Sequence, residues 1–246
     1  MKNDRGTTIK FRHQLPTAKL LIGKLARIRW ISEYCSGKKV LHIGCADVGL
    51  TEIRVKKGEL LHAKLTDLCE GVIGVDVNQE GIQKLKEFGF DNVAVHDITT
   101  SAPAVIELLE QQIKSCDIIL CAEVIEHVQN VTDFLVGVRE IAARFDSEVI
   151  ISTPNAFNIR GFLGIIRGVE IVHSDHKCYF SWKTLDTLLN QAGLRITETL
   201  FYYNELVPTS YRNVIQKSLT RLVLRWYPYL GDGVICLSKS ITEEMR

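Results

Sequence analysis

The sequence predicts an α/β protein with a doubly wound, Rossmann-like, mostly parallel seven-stranded sheet. A C-terminal antiparallel strand, an N-terminal helix and a lid insertion complete the expected fold. Three observations carry this. The stretch Val40-Leu41-His42-Ile43-Gly44-Cys45-Ala46-Asp47-Val48-Gly49 reads as a short apolar strand closing in a glycine turn. Three later apolar runs, at 72–76, 93–97 and 118–123, each end on an acid. Helical patterns separate these runs, as in βαβ units with right-handed crossovers. Ligands of open α/β sheets sit beyond the carboxyl ends of the strands. An edge offering a glycine turn and a row of carboxylates is therefore expected to hold a nucleoside.

A helix is expected over 17–35, where Leu21, Leu25, Ile28 and Ile31 recur near helical spacing. Strands are expected near 39–43, 72–76, 92–96, 116–121 and 147–152, and helices near 52–68, 79–88, 103–114, 131–144 and 181–193. After Pro154 the rhythm breaks into an insertion, 155–178, punctuated by Gly161, Gly164 and Gly168. It resumes at 194–201 and ends in the apolar run 233–238, and these last two strands are expected to pair antiparallel. Residues 1–246 read as a single domain, with 1–36 a helical extension and 154–178 a substrate lid.

Composition supports one core: 246 residues, 46% of them hydrophobic, are ample for it. A net charge of +1 argues against a strongly electrostatic nucleic-acid binder. Residues 1–14 are polar and lack the apolar core of a signal peptide. No uninterrupted apolar run approaches the ~18 residues of a transmembrane segment. The seven cysteines include Cys45, Cys116, Cys121 and Cys236 on apolar runs, and none forms a C-x-x-C pair. Reduced, buried thiols in a cytoplasmic protein are expected, and no zinc-thiolate site.

At the predicted edge, a glycine turn lets backbone N–H groups approach a ligand. Asp76 ends the second strand, where a carboxylate can accept both hydroxyls of a ribose. Asp97 ends the third, placed for the exocyclic amine of a base. A single acid at a strand end often only caps the next helix. Three in consecutive strands favour a ligand.

With these residues the chain resembles the class I S-adenosylmethionine-dependent methyltransferases. The resemblance rests on 40–49, on Val72-Ile73-Gly74-Val75-Asp76, on His96-Asp97 and above all on Asp117-Ile118-Ile119-Leu120-Cys121-Ala122-Glu123-Val124-Ile125-Glu126-His127-Val128. It extends to Ile151-Ser152-Thr153-Pro154-Asn155 and to Ala192-Gly193-Leu194, covering about residues 36–203. It is similar in particular to ubiquinone-biosynthesis O-methyltransferases and to enzymes that methylate sugars and natural products. The resemblance implies that Gly44, Cys45 and Ala46 cradle the methionine end and that Asp76, with Val77, binds the ribose. It further implies that Asp97, with Ile98, faces the adenine, and that Glu123 lies beneath the reacting centre.

The chain also departs from the family pattern. His42 stands where an acid is usual, and the G-x-G-x-G loop reads Gly44-Cys45-Ala46-Asp47-Val48, with Gly49 one step late. A β-branched valine is strained at positive φ, so this loop is expected to run differently. The first and second strands are further apart than usual, through 50–61. A nicotinamide-binding Rossmann domain, the other use of such an edge, would need G-x-G-x-x-G and gives Glu-x-x-Glu-His no role.

Methyl transfer needs an in-line nucleophile and, for a hydroxyl, a base. The candidates are Glu123, Glu126 and His127 after the fourth strand and His173, Asp175 and His176 in the insertion. His127 is the preferred base, since histidine titrates near neutrality, with Glu126 and His176 beside it. Glu126 and His127 have a plainer use as caps of the next helix, and His176 as a loop anchor. The expected function is O-methylation of a small-molecule or sugar-containing acceptor, with S-adenosyl-L-methionine as cofactor and no metal.

Glu123, Glu126, His127 and His176 also make a plausible set for magnesium or manganese. Their pattern, with Ser152–Asn155 and Asp175-His176-Lys177 ahead of Tyr179-Phe180, is similar to plant small-RNA 3′-end 2′-O-methyltransferases. Metal-dependent methylation of an RNA terminus is thus one alternative, and a non-catalytic cofactor-binding relative is another. Lys217, Arg221 and Arg225 recur beside Leu219, Leu222, Val223 and Trp226, giving an amphipathic helix with a basic stripe. Such a stripe suits a phosphate, a lipid-linked sugar, a membrane surface or plain solvent. Trp182, Tyr202 and Tyr203 suit either an acceptor pocket or the core. The sequence leaves the oligomeric state open.

Overall fold

Alternating burial along the strands shows how this sheet is covered on both faces. Val40, Val72, Ile118, Leu120 and Ile150 pack against one helical layer, and Leu41, Ile73, Ile119, Cys121 and Ile151 against the other. Side chains of a strand alternate faces, so a strand buried on both sides reads as a continuous apolar run. The computed structural model describes residues 12–47, 49–205 and 211–241, without the side chains of 211–217.

The described chain begins with β1 (Lys19–Gly23), α1 (Ala26–Cys35) and β2 (Lys39–Ile43). Two short helices, α2 (Thr51–Lys56) and α3 (Leu61–Leu68), lead to β3 (Gly71–Asp76), α4 (Gln79–Glu87) and β4 (Val93–Val95). Next come α5 (Ile98–Gln112), β5 (Ile118–Ala122), α6 (Val131–Phe145) and β6 (Glu148–Pro154). The last part holds α7 (Ile159–Ile166), α8 (Trp182–Gln191), β7 (Leu194–Asn204), α9 (Tyr211–Trp226) and β8 (Gly233–Ser240). The sheet runs β1-β7-β8-β6-β5-β2-β3-β4. Only β8 is antiparallel, to β6 on one side and β7 on the other.

The α/β class, the parallel order and the antiparallel final strand are as the sequence predicts. Among the described residues the sheet has eight strands rather than seven, because the start of the expected helix 17–35 is β1, paired in parallel with β7 from Lys19↔Leu200 to Gly23↔Asn204. Leu20-Leu21-Ile22 is a short apolar run that fits either period. Leu25, at a left-handed φ of 51°, then turns the chain into α1.

The expected helix 52–68 likewise divides into α2 and α3, at Gly58 with φ 64°. Helix α5 starts at Ile98 rather than at 103, with a kink at Ser101 just before Pro103. The insertion is not all loop, since it contains α7. Residues 1–11 and Val48 lie outside the described residues, and with them the expectations placed there.

Candidate active site

The carboxyl ends of β2, β3, β4 and β5 open into a cavity of about 850 Å³. Gly44 closes β2 at φ 74°, a conformation that disfavours any side chain. A Cβ there would meet Cγ2 of Val124 at 2.4 Å, so the turn and the segment after β5 touch through a bare glycine. Asp76, buried at the end of β3, receives the N–H of Ala46 at 3.0 Å and that of Asn78 at 2.8 Å. Burial raises its pKa despite these bonds. One oxygen goes to each donor, and each keeps a lone pair for a hydroxyl from the cavity.

Cys45, Val77, Ile98 and Glu123 also line this space. Asp97 lines it and caps α5 as well, accepting from Thr99 N at 2.9 Å and from Thr99 Oγ1 at 2.7 Å.

Two glutamates follow β5, and the last residues of β6 hold them. Glu123 sits at φ 59°, rare for a side chain of its size, and its N–H bonds to the carbonyl of Ser152. Its Oε1 accepts from Ser152 Oγ at 3.2 Å and from the phenol of Tyr202 at 2.9 Å. Arg27 Nε lies 3.9 Å away. Burial opposes the Arg27 charge, but the neighbouring acidic groups, Glu123 first among them, outweigh it and raise its pKa. Glu126 is 1% exposed, and its Oε2 accepts from Thr153 Oγ1 at 3.0 Å. Desolvation, then repulsion from Glu123, lifts its pKa to about 8, so the carboxyl is protonated at neutral pH.

The carbonyl of Glu126 draws in the insertion by accepting the N–H of Lys177 at 2.8 Å. That bond sets His176 edge-on to His127, with ring centroids 4.7 Å apart, and His173 lies 5.4 Å from His176. Ligand atoms of Glu126, His127 and His176 all fall within 4.8 Å of one another. Glu126 Oε1 and His176 Nδ1 are buried without a partner. Burial and the neighbouring His127 and His173 lower the pKa of His176. Glu126 and His127 do not cap α6, because Asn130 does so through Asp133 N. The structure thus unites the predicted trio and leaves Glu123, committed to Tyr202 and Ser152, outside it.

Sequence reasoning gave no site role to Arg27, His42 or His62, which also line the cavity. Arg27 enters from α1, and its only signal was a cation among Leu25, Ile28 and Ile31. His42 and His62 stack in the cavity floor with Nδ1 atoms 3.3 Å apart, and no spacing rule pairs β2 with α3. Trp182, Tyr202 and Tyr203 are not lining residues. Trp182 donates to Thr199, Tyr202 stands behind Glu123, and Tyr203 stacks under Arg160.

A family model described as a methyltransferase domain matches residues 11–199. Among curated proteins, the ubiquinone biosynthesis O-methyltransferase of Acinetobacter baylyi is 26% identical over 73% of this chain and 74% of its own length. The mitochondrial counterpart from Bos taurus is also 26% identical, over 65% of this chain and 42% of its own length. Among solved structures, a small RNA methyltransferase superposes with a TM-score of 0.54 at 15% identity, covering 88% of this chain and 25% of the other, a likeness of fold alone.

Proposed function

This chain belongs to the methyltransferase-domain family and is an S-adenosylmethionine-dependent methyltransferase, and we propose that it methylates a hydroxyl of a small-molecule or sugar-containing acceptor. The residues at the sheet edge fit that cofactor: Gly44 is bare, Asp76 has free lone pairs, and the cavity has room for cofactor and acceptor together. When bound, the cofactor supplies an activated methyl on a sulfonium. In this reading Gly44, Cys45 and Ala46 cradle the methionine end, with Arg27 the cation available for its carboxylate. Asp76 and Val77 take the ribose, and Asp97 and Ile98 take the adenine.

The observation that carries O-methylation is the contact of His127 with His176 on the wall of the same cavity. With the cofactor bound, His127 would take the proton of the acceptor hydroxyl, and the cofactor would supply the activated methyl to that oxygen. His176, kept neutral by its surroundings, faces His127 as a second acceptor. Residues 154–178 serve as the acceptor lid in this reading, supported by His173, Asp175 and Lys177 in the lining. Seven free thiols suit a cytoplasmic setting. The test is turnover of labelled cofactor on phenols and sugars. His127→Ala should lower turnover roughly 10²–10⁴-fold with cofactor affinity unchanged, the usual worth of a general base. Unaltered turnover on a true acceptor would remove His127 from this role.

A second reading has its own support, from the two orphan atoms. Buried polar atoms without partners are uncommon, and Glu126 Oε1 and His176 Nδ1 belong to a trio with the donor set for a divalent cation such as magnesium or manganese. A cation there would displace the Glu126 proton. Manganese titration followed by electron paramagnetic resonance, without acceptor, distinguishes the readings. Binding lost in Glu126→Gln favours the metal, and no binding favours the plain base.

A further inference from the structure

Helix α9 turns its apolar stripe outward. Leu219, Leu222, Val223 and Trp226 fall at i, i+3, i+4 and i+7, a single helical face, and all four are exposed, Trp226 to 75%. Leu224, off that face, is fully buried and anchors the helix. In a globular protein such a stripe faces the core. A second apolar surface follows β6, where Phe157, Phe162, Ile165, Ile166, Val169 and Ile171 are each more than half exposed. Contiguous exposure on this scale marks an interaction surface.

The two surfaces arise at one edge of the sheet. Strand β6 ends at Pro154 and β7 at Asn204, and β8 starts between them with Gly233 opposite both Pro154 and Tyr202. Arg160 fastens α7 to that edge, reaching Asp232 at 2.6 Å and the carbonyl of Asn204 at 2.7 Å. Charge is segregated there too. The α9 sequence carries Arg212, Lys217, Arg221 and Arg225 and no acid, whereas the whole chain carries only +1. Arg221 pairs with Glu205, and Arg225 lies one turn further along.

We propose that α7 and α9 form a surface by which this protein docks on an anionic lipid bilayer, with both helices lying in the plane of the interface. Apolar faces flanked by cations enter the headgroup–acyl boundary in this way. Trp226 and Tyr227 suit the headgroup level, and the α9 cations suit lipid phosphates. Among the described residues no helix is long and apolar enough to cross a membrane, so the attachment is peripheral. The all-basic helix favours an anionic bilayer over a protein partner, whose surface carries both signs. Helix α7 lies within the segment read above as the acceptor lid, whereas the α9 surface stands without that reading.

Co-sedimentation of the full chain with phosphatidylcholine vesicles, with and without phosphatidylglycerol, tests it. Binding is expected with phosphatidylglycerol, weaker without it and weakened by salt, with a blue shift of tryptophan emission. Leu219→Glu with Leu222→Glu should reduce the bound fraction roughly tenfold or more, the scale of withdrawing two apolar side chains from the interface. Melting temperature and S-adenosylhomocysteine affinity should not change. Phe162→Glu with Ile166→Glu should act likewise from the other surface. A chain that stays in the supernatant with both vesicles, or folded variants that bind like the parent, would overturn the proposal. So would a dimer in sedimentation velocity that these variants dissociate, which assigns the surface to a second copy.

Discussion

The phenol of Tyr202 donates to Oε1 of Glu123 at 2.9 Å, joining β7 to the turn after β5 across two intervening strands. It holds in place a glutamate whose backbone sits at φ 59°. Burial, then the Glu123 charge, raises the Tyr202 pKa well above its ordinary value, so the phenol remains a donor. A hydrogen bond to a charged group contributes about 1.5–3 kcal/mol. Tyr202→Phe should lose stability on that scale in urea denaturation. Combined with Glu123→Gln, the two losses should be less than additive, because both variants remove one interaction.

Asp76→Ala should weaken S-adenosylhomocysteine binding by about 2–3 kcal/mol, roughly 30- to 150-fold, since a carboxylate meeting two hydroxyls makes charge-assisted bonds. Isothermal titration calorimetry measures it. Retained affinity would show that β3 does not carry the ribose site.

Gly44→Ala faces two separate costs. The left-handed backbone at φ 74° costs a side chain about 1–2 kcal/mol, and the new Cβ meets Val124 Cγ2 at 2.4 Å. Overpacking of this kind costs about 1–3 kcal/mol. Adding Val124→Ala should recover the second cost and not the first, so the double variant should melt between Gly44→Ala and the parent.

The pKa of Glu126 is raised to about 8 in the folded chain, above its unfolded value. The folded state therefore holds the proton more tightly. The stability this contributes is complete below the unfolded carboxylate pKa and is lost as pH rises towards 8. Glu126→Gln keeps the neutral form at every pH. Its melting temperature should fall less than the parent's between pH 5 and about 8.5, as scanning calorimetry would show. Parallel pH curves would count against a protonated Glu126.

Much of the site was legible because it follows strand ends. Gly44, Asp76, Asp97 and Glu123 each close an apolar run, and the parallel sheet brings them to one edge. The meeting of Glu126, His127 and His176 was legible only through resemblance, since it depends on the Glu126 carbonyl capturing Lys177 far along the chain. Arg27, His42 and His62 were hidden for a related reason. Their neighbours are set by which helix covers which strand, and periodicity within a segment carries no record of that. The first strand was misassigned because three consecutive apolar residues satisfy both periods, and only the edge of β7 decides between them.

The position of β8 has a consequence for how the sheet is assembled during synthesis. It lies between β6 and β7 yet comes last of the described strands. Until it emerges, β1 and β7 can pair only with each other, and β6 is an open edge. A nascent chain at that stage is two part-sheets with two unpaired edges between them, those of β7 and β6, the state most exposed to aggregation. The Tyr202–Glu123 contact, which spans that gap, forms only when the final strand locks in. Loss of β8 by an early stop would therefore remove the active-site geometry far from any site residue.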